Sequence, residues 1–165
     1  MGTPAEFCDE IRDRLVGSLM IDCGDRHVAE ELAQDALVRA WERWDTVGRM
    51  GSPEAWTYRT AFNLANTWQR RRSAERRARR RLAARPPTAE QAPPDEVVRT
   101  AVLGLPPRQR AVITCRFFLD LSVDETAALL RCAPGTVKAA THQALAALRA
   151  SGVGRDEDTT EEVHP

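Results

Sequence analysis

The segment from Leu105 to Leu148 constrains the fold most, because it predicts one helix followed by a helix-turn-helix. Pro107 stands where the first residue of a helix can spare its N–H. Ser122 and Glu125 have the spacing of a capping box, in which each side chain satisfies a free backbone amide of the helix start. A short connection, Arg131 to Ala133, separates the two short helices. Such a pair is the shape that places its second helix in a DNA major groove, although ordinary helical hairpins share it.

Apolar residues recur at helical spacing throughout this segment. We expect the following side chains to face inward: Val112, Ile113, Phe117, Ala127, Leu130, Val137, Leu145 and Leu148.

The formal net charge of zero conceals a strong asymmetry along the chain. Residues 1–58 carry a net charge of −6, and residues 59–85 carry ten arginines against one glutamate, a net of +9. The net charge is +1 over residues 86–150 and −4 over residues 151–165. A dense basic block attracts phosphate and releases counterions on binding. The alternative for the same block is a solvated charge run without a partner.

Three helices are predicted before the basic block. The first spans Phe7 to Met20, and the clearest spans Val28 to Trp44. The latter has an apolar stripe and, on a different face, a mostly polar stripe at helical spacing. The apolar stripe contains Leu32, Ala36, Leu37, Ala40, Trp41 and Trp44, and the second stripe contains Glu31, Gln34, Asp35, Val38 and Glu42.

The third helix starts at Ser52-Pro53, with Ser as cap and Pro in the first turn, and leads into the arginine run. It mixes aromatic, amide and arginine side chains, which is what binding a single strand or an opened duplex requires. The alternative is that its aromatic residues are mostly core. One helical face carries Trp56, Thr60, Asn63, Thr67 and Arg70.

The whole chain is predicted to be all-α, with two small helical domains on a flexible, proline-rich linker. We place the domains at residues 1–82 and 95–150, the linker at 83–94 and an acidic disordered tail at 151–165. A short helix from Asp95 to Leu103 opens the second domain.

The sequence contains no motif typical of an enzyme, a metal site or a cofactor site, so we expect no catalytic residue, no metal and no cofactor. The four cysteines lack CxxC spacing. No stretch approaches the ~20 apolar residues of a membrane span, and no signal peptide is visible. We therefore expect a cytoplasmic protein with mostly buried thiols and no membrane partner.

Three motifs together resemble the extracytoplasmic-function (ECF) sigma factors of bacterial RNA polymerase. Ala29 to Trp41 resembles the helix by which that family binds core polymerase, and Pro53 to Ala65, followed by Arg70 to Arg72, resembles its promoter-melting helix. Leu105 to Val112 and Gly135 to Lys138 are similar to its C-terminal DNA-binding domain. The motifs keep the family's order over nearly the whole chain. The compact chain, with its segment GDRHVAEE, looks most like the small factors called the SigE family.

The resemblance implies a subunit that binds core RNA polymerase and directs it to promoters, recognising the −10 and −35 elements and promoting DNA opening. Its implied partners are the β′ clamp helices and β flap of the polymerase, promoter DNA and, where one exists, an anti-sigma protein. The β′ clamp helices would meet Glu31, Gln34, Asp35, Val38 and Arg39. The −10 element would be held by Trp56, Arg59, Asn63, Arg70, Arg71 and Arg72, with Asn63 and the loop before Ser52 at a flipped base. The −35 element would face Thr136, Lys138, Ala139, His142 and Gln143.

The chain departs from the family in its predicted −35 helix. Ala139 and Ala140 follow Lys138 where the family has a serine and an arginine, and Gln143 stands near the position of another arginine. Ala133 occupies the position of a capping serine, a change of about 1 kcal/mol. Weak −35 binding is therefore expected, with any preference for adenine depending on Gln143.

Two other classes of function fit parts of the sequence. A stand-alone helix-turn-helix regulator explains residues 105–148 but leaves the helix from Val28 and the tryptophan-rich helix unexplained. A degenerate sigma factor that sequesters a partner is supported by the weakened −35 helix alone.

Overall fold

The structure is a computed structural model that describes residues 2–80 and 94–153, and every regular element within those ranges is helical. The helices are α1 (Pro4–Cys23), α2 (Arg26–Glu42), α3 (Trp44–Val47), α4 (Pro53–Arg80), α5 (Pro94–Gly104), α6 (Pro107–Ile113), α7 (Val123–Leu130) and α8 (Pro134–Ala150). A π-helical turn, Thr114–Phe118, continues α6. The predicted all-α fold is confirmed, whereas most of the predicted linker and of the acidic tail lie outside the described residues.

Local capping signals set the helix boundaries in the first half of the chain. Thr3 and Glu6 form a capping box at the start of α1, and Gly24 ends α1 with a φ of 73°. Asp25 then accepts a hydrogen bond from the Val28 amide, 3.2 Å away, at the start of α2. Ser52 accepts from the Ala55 amide at 3.1 Å, which confirms the predicted start of α4.

Helices α1 to α4 form the N-terminal group, in which α1, α2 and α4 pack around one apolar core. Small residues on α2 let the helices approach closely, and α1 and α4 supply the larger side chains. The residues that these three helices bury in the core are Ile11, Leu15, Leu19, Ala29, Ala33, Ala36, Leu37, Tyr58, Ala61, Phe62 and Ala65.

The predicted apolar stripe of α2 is correct in its middle and wrong at its end. Helix α2 stops at Glu42, and Trp44 begins α3, where its ring packs 5.0 Å from that of Phe7. Trp41 is 51% exposed, although its neighbour Ala40 is buried in the core.

Helices α5 to α8 form the C-terminal group, and α6, α7 and α8 contain the predicted helix-turn-helix. The capping box of Ser122 and Glu125 is present, and Arg131 turns the chain with a φ of 52°. Ala133 stands before α8 with no side-chain hydrogen bond to the helix start. The small cores of this group contain Leu105, Val112, Ile113, Ala127, Val137, Ala140 and Ala144.

The prediction that Phe117 faces inward is wrong, because the helix widens at Thr114. A π turn adds one residue to the turn and rotates the following side chains around the helix axis. Thr114 and Cys115 are consequently buried, while Phe117 is 59% exposed.

The two groups pack directly against each other. Cys115, Leu119 and Leu129 of the C-terminal group belong to the same buried cluster as the N-terminal core. We call the contact of α1 and α4 with α5, α6, the π turn and α7 the seam. The sequence predicted two helical domains but not this shared core.

Candidate nucleic-acid and protein interfaces

The outer face of α2 presents the predicted protein-binding residues to solvent. All of these side chains are exposed: Glu31, Gln34, Asp35, Val38 and Arg39. The opposite face of the helix buries Ala33, Ala36 and Ala40, so the outer residues contribute little to the core. Val38 is 43% exposed although it is apolar.

A groove of about 400 Å³ lies beside this face, between α1 and α2. Exposed Trp41 and Val38 give it an apolar wall that nothing in the described part of the chain covers. The exposure of Trp41 was not predicted, because the helical repeat places this residue beside buried ones. The groove is lined by Cys8, Asp9, Arg12, Gln34, Leu37, Val38, Trp41 and Glu42.

The aromatic residues of α4 divide between core and surface. Tyr58 and Phe62 are buried in the N-terminal core, so for these two residues the alternative that they belong to the core is correct. Trp56 and Trp68 are half-buried. The hydroxyl groups of Thr60 and Thr67 donate to carbonyls four residues earlier, at 2.9 and 3.0 Å, and so bind their own helix.

The arginine run continues α4 as a regular helix to Arg80. Arg70 and Arg71 are exposed, and the guanidinium carbon of Arg72 lies 4.9 Å from the ring centroid of Trp68. An open surface of mostly cationic character results, with an aromatic ring at its edge. It contains Val28, Trp68, Arg71, Arg72, Glu75, Arg76 and Arg79.

Two predicted −10 residues lie at the seam instead of on this open surface. Arg59 donates hydrogen bonds to the backbone carbonyls of Ala128, at 3.0 Å, and Leu129, at 3.4 Å. Asn63 is exposed but lines a groove between α4 and the C-terminal group, opposite Pro106 and Arg108. The structure therefore separates the predicted −10 set into an open part and a part that faces the C-terminal group.

A buried polar cluster at the seam was not predicted. Gln69 of α4 donates to a carboxylate oxygen of Asp22 on α1 at 2.7 Å, and Arg110 of α6 approaches the other oxygen to 3.7 Å. Burial raises the pKa of Asp22 to about 6, although Arg110 and Gln69 act in the opposite direction. No sequence signal marks the cluster, because each residue occupies an ordinary position in its own helix.

The predicted DNA-facing side of α8 is open. Lys138, Ala139, His142 and Gln143 are exposed, and Thr136 is half-buried in the first turn. Gln109 of α6 donates to the side-chain oxygen of Gln143 at 3.2 Å. This contact leaves the Gln143 amide nitrogen free to donate.

Two family models match the two groups in order. Residues 12–77 match sigma-70 region 2, and residues 95–148 match sigma-70 region 4. The chain is 34% identical over 163 residues to the RNA polymerase sigma-E factor of Streptomyces coelicolor, covering 96% of this chain and 92% of that protein. It is also 34% identical over 135 residues to the ECF RNA polymerase sigma factor SigL of Mycobacterium tuberculosis, covering 76% of this chain and 75% of SigL. The chain belongs to the ECF sigma factors.

As an ECF sigma factor, the chain contains region 2 in its N-terminal group and region 4 in its C-terminal group. The sigma factor RpoE of Bartonella quintana, solved in complex with the anti-sigma factor NepR, has the same fold with a TM-score of 0.73 and 22% identity. That match covers 91% of this chain and 98% of RpoE. A stand-alone regulator is not favoured, because region 2 accounts for the helices that such a regulator leaves unexplained.

Among residues 2–80 and 94–153, no group of His, Cys, Asp or Glu side chains could hold a metal ion. No helix in those ranges is long and apolar enough to cross a membrane.

Proposed function

We propose that this ECF sigma factor binds core RNA polymerase through the outer face of α2, and then directs the enzyme to promoters through α4 and α8. The exposed stripe of Glu31, Gln34, Asp35, Val38 and Arg39 carries the proposal, since these side chains are free of the core. The β′ clamp helices are the proposed partner of this face, and the β flap that of region 4. The polymerase supplies the chemistry, in the cytoplasm, and the sigma factor supplies only recognition.

The groove between α1 and α2 extends the proposed polymerase interface. Trp41 offers a large apolar surface beside the acidic stripe, and buried aromatic side chains often dominate the binding energy of an interface. We infer that Trp41 packs against the polymerase, although the sequence suggested a core residue.

We propose that α4 binds the −10 element after the strands separate. Arg70, Arg71 and Arg72 would neutralise phosphates, and Trp56 would stack on an unpaired base. Asn63 would hold the flipped base through its amide, and Arg59 would grip the neighbouring backbone. The proximity of cations and aromatic rings along one helix supports this assignment.

The proposed −35 surface of α8 consists of Thr136, Lys138, Ala139, His142 and Gln143. Lys138 is its only side chain with a permanent charge, so it provides few phosphate contacts. We infer that promoter selection depends more on the −10 element than on the −35 element.

An anti-sigma protein is a further partner that we infer for this chain. RpoE of Bartonella quintana, which has the same fold, was solved with such a protein bound. The exposed groove between α1 and α2 offers a surface for such a partner.

Transcription in vitro tests the proposed function. Core polymerase of Streptomyces coelicolor, supplied with this chain and a template library of randomised upstream DNA, should enrich templates that share a −10 motif. Core polymerase alone is the control. Transcripts whose templates share no motif beyond that of the control would contradict the proposal.

A further inference from the structure

The C-terminal half of α4 carries a high positive charge that its neighbours do not balance. Residues 70–80 contain seven arginines and one glutamate. Within the described part of the chain, no ion pair involves an arginine between Arg70 and Arg79. Like charges one turn apart on a helix, such as those of Arg72 and Arg76, repel each other. An acidic partner would therefore stabilise this part of α4.

Arg72 and Arg76 line a groove of about 210 Å³ between α4 and the start of α6, together with Arg110, and we call it the arginine groove. Arg110 lies at its buried end and is 8% exposed, whereas Arg76 is exposed. Asp25 also lines the groove, but its carboxylate already accepts a hydrogen bond from the Val28 amide. Guanidinium groups bind carboxylates in two parallel hydrogen bonds, so the groove fits an acidic chain segment.

The end of the sequence has the charge that the arginine groove lacks. Residues 154–165 lie outside the described residues and contain five acidic side chains and one arginine, a net charge of −4. We call residues 156–162, which contain all five acidic side chains, the acidic segment. Residues 81–93, also outside the described residues, contain two arginines and one glutamate, so their net charge does not complement the groove.

The acidic segment follows α8 closely enough to reach the arginine groove. The Val153 amide donates to the carbonyl of Leu148 at 3.2 Å, and Leu148 packs against the cluster that contains Leu105. Leu103, two residues before Leu105, lines the arginine groove. The residues that follow Val153 can span up to about 40 Å when extended. Their length therefore allows contact with Arg72 and Arg76 of the same chain.

We propose that the acidic segment binds the arginine groove of α4 within the same chain. Its carboxylates pair with Arg72 and Arg76, and covalent connection to α8 gives the segment an effective concentration on the order of millimolar at the groove. Because the paired charges are largely exposed to solvent, the contact weakens as the salt concentration rises.

One consequence rests on the proposed role of α4 in −10 binding. DNA phosphates would use the guanidinium groups that the acidic segment occupies, so DNA has to displace the segment. Nonspecific DNA is held by phosphate contacts and loses most in this competition. The acidic segment thus acts against nonspecific binding.

Carbodiimide cross-linking of the full-length protein is the first test. Lys138 is the only lysine of the chain, so Arg76→Lys adds one reactive amine to the groove and keeps the positive charge. Arg43→Lys is the matched control, because Arg43 is exposed and follows the last turn of α2, whereas Val28, in the first turn, borders the arginines of α4.

Peptide mass spectrometry should find cross-links from the introduced amine to the acidic segment at least about threefold more often in Arg76→Lys than in Arg43→Lys at low salt, with the excess lost at about 0.5 M NaCl. Acetylation of the two introduced amines corrects for differences in their reactivity. Dilution should not lower the yield, since the contact forms within one chain.

DNA affinity is the second test. Changing the five acidic side chains of the acidic segment to amides should tighten binding of a fluorescein-labelled single-stranded oligonucleotide of mixed sequence by about threefold or more at low salt. A higher net charge alone would also tighten binding. The same five changes are therefore compared in an Arg72→Ala, Arg76→Ala background, where the gain should be smaller because the groove is lost. The five changes are Asp156→Asn, Glu157→Gln, Asp158→Asn, Glu161→Gln and Glu162→Gln.

The proposal is overturned if Arg76→Lys and Arg43→Lys cross-link equally to the acidic segment, or if the yield falls on dilution, which would assign the contact to a second copy of the chain. It is also overturned if the five amide changes increase DNA affinity equally in both backgrounds. Failure of the proposed function would appear separately: the cross-link would persist, while changing Arg70 and Arg71 to alanine would leave oligonucleotide binding unchanged.

Discussion

The Nε atom of Arg110 lies 3.7 Å from a carboxylate oxygen of Asp22, and their side chains are only 10% and 4% exposed. One residue belongs to region 4 and the other to region 2. The pair therefore joins the two DNA-binding parts of the chain through a contact from which water is largely excluded.

Removing one member of this pair should destabilise the protein more than replacing both. Arg110→Met leaves the Asp22 carboxylate buried without its ion-pair partner, and we expect it to lower the free energy of unfolding by about 3–5 kcal/mol. The double variant Asp22→Leu, Arg110→Met should recover part of that loss, since two apolar groups need no partner. Urea unfolding measures both values, and a double variant less stable than Arg110→Met would contradict the argument.

Acid should stabilise the contact through Asp22. The pKa of this carboxyl is raised to about 6 by burial, above its ordinary value of 3.8, so the closed fold binds the proton more tightly than the unfolded chain does. This stabilisation is present below pH 4 and is lost as the pH rises through 6. Arg110, Gln69 and the thiols of Cys23 and Cys115 are the groups around Asp22, and burial raises the pKa of each thiol to about 12, so neither titrates in that window.

Wild-type protein should therefore gain about 1 kcal/mol relative to Asp22→Asn when the pH falls from about 7 to about 5. Urea unfolding of both proteins at the two pH values measures this difference, and the variant cancels the contributions of other groups. If the difference in unfolding free energy between wild type and Asp22→Asn stays the same or shrinks at the lower pH, Asp22 is not the source of the pH dependence.

Charge reversal on the outer face of α2 should abolish polymerase binding without unfolding the protein. Asp35 is exposed and lies away from the core, so Asp35→Arg should leave the melting temperature nearly unchanged. Asp13→Arg makes the same charge change at an exposed position of α1 outside the groove, and should retain binding. Pull-down with core polymerase tests both variants, and an Asp35→Arg protein that still binds would exclude this face.

Asn63→Ala should allow the holoenzyme to bind promoter DNA but impair its opening. Loss of one base contact costs about 1–3 kcal/mol of discrimination at a single position of the −10 element. Permanganate footprinting detects the opened thymines on a promoter selected by transcription. If the footprint and base preference matched those of wild type, Asn63 would have no part in recognition.

Restoring a cap at the start of α8 should stabilise region 4. Ala133 has the extended backbone of a helix cap, with φ −70° and ψ 147°, but no side chain that can accept a hydrogen bond. Ala133→Ser should add about 1 kcal/mol to the free energy of unfolding. Ala146→Ser, at an exposed position inside α8, is the control and should not stabilise.

Local rules predicted most of the fold because most helix boundaries depend on neighbouring residues. The capping box at Ser122 and the cap at Ser52 involve contacts three residues apart, which a sequence displays directly. The exposure of Phe117 was mispredicted because one extra residue in the π turn changes the face on which it lies. The helical repeat cannot reveal such a change of period.

The seam could not be predicted from the sequence, for a different physical reason. A helical pattern indicates which face of a helix is apolar, but not which distant helix covers it. Asp22 and Arg110 are 88 residues apart in the chain, and each would be typical of an exposed helix position. Helical patterning indicated which residues form the proposed interfaces. Only the structure shows that the C-terminal group lies against Arg59 and Asn63, two residues of the proposed −10 surface.

Run-off transcription from one selected promoter tests the central claim most directly. Core polymerase with this chain should produce a transcript from a defined start, core polymerase alone should not, and mutation of the −10 motif should remove the transcript. A chain that binds core polymerase but yields no promoter-dependent transcript would contradict the claim that it directs initiation.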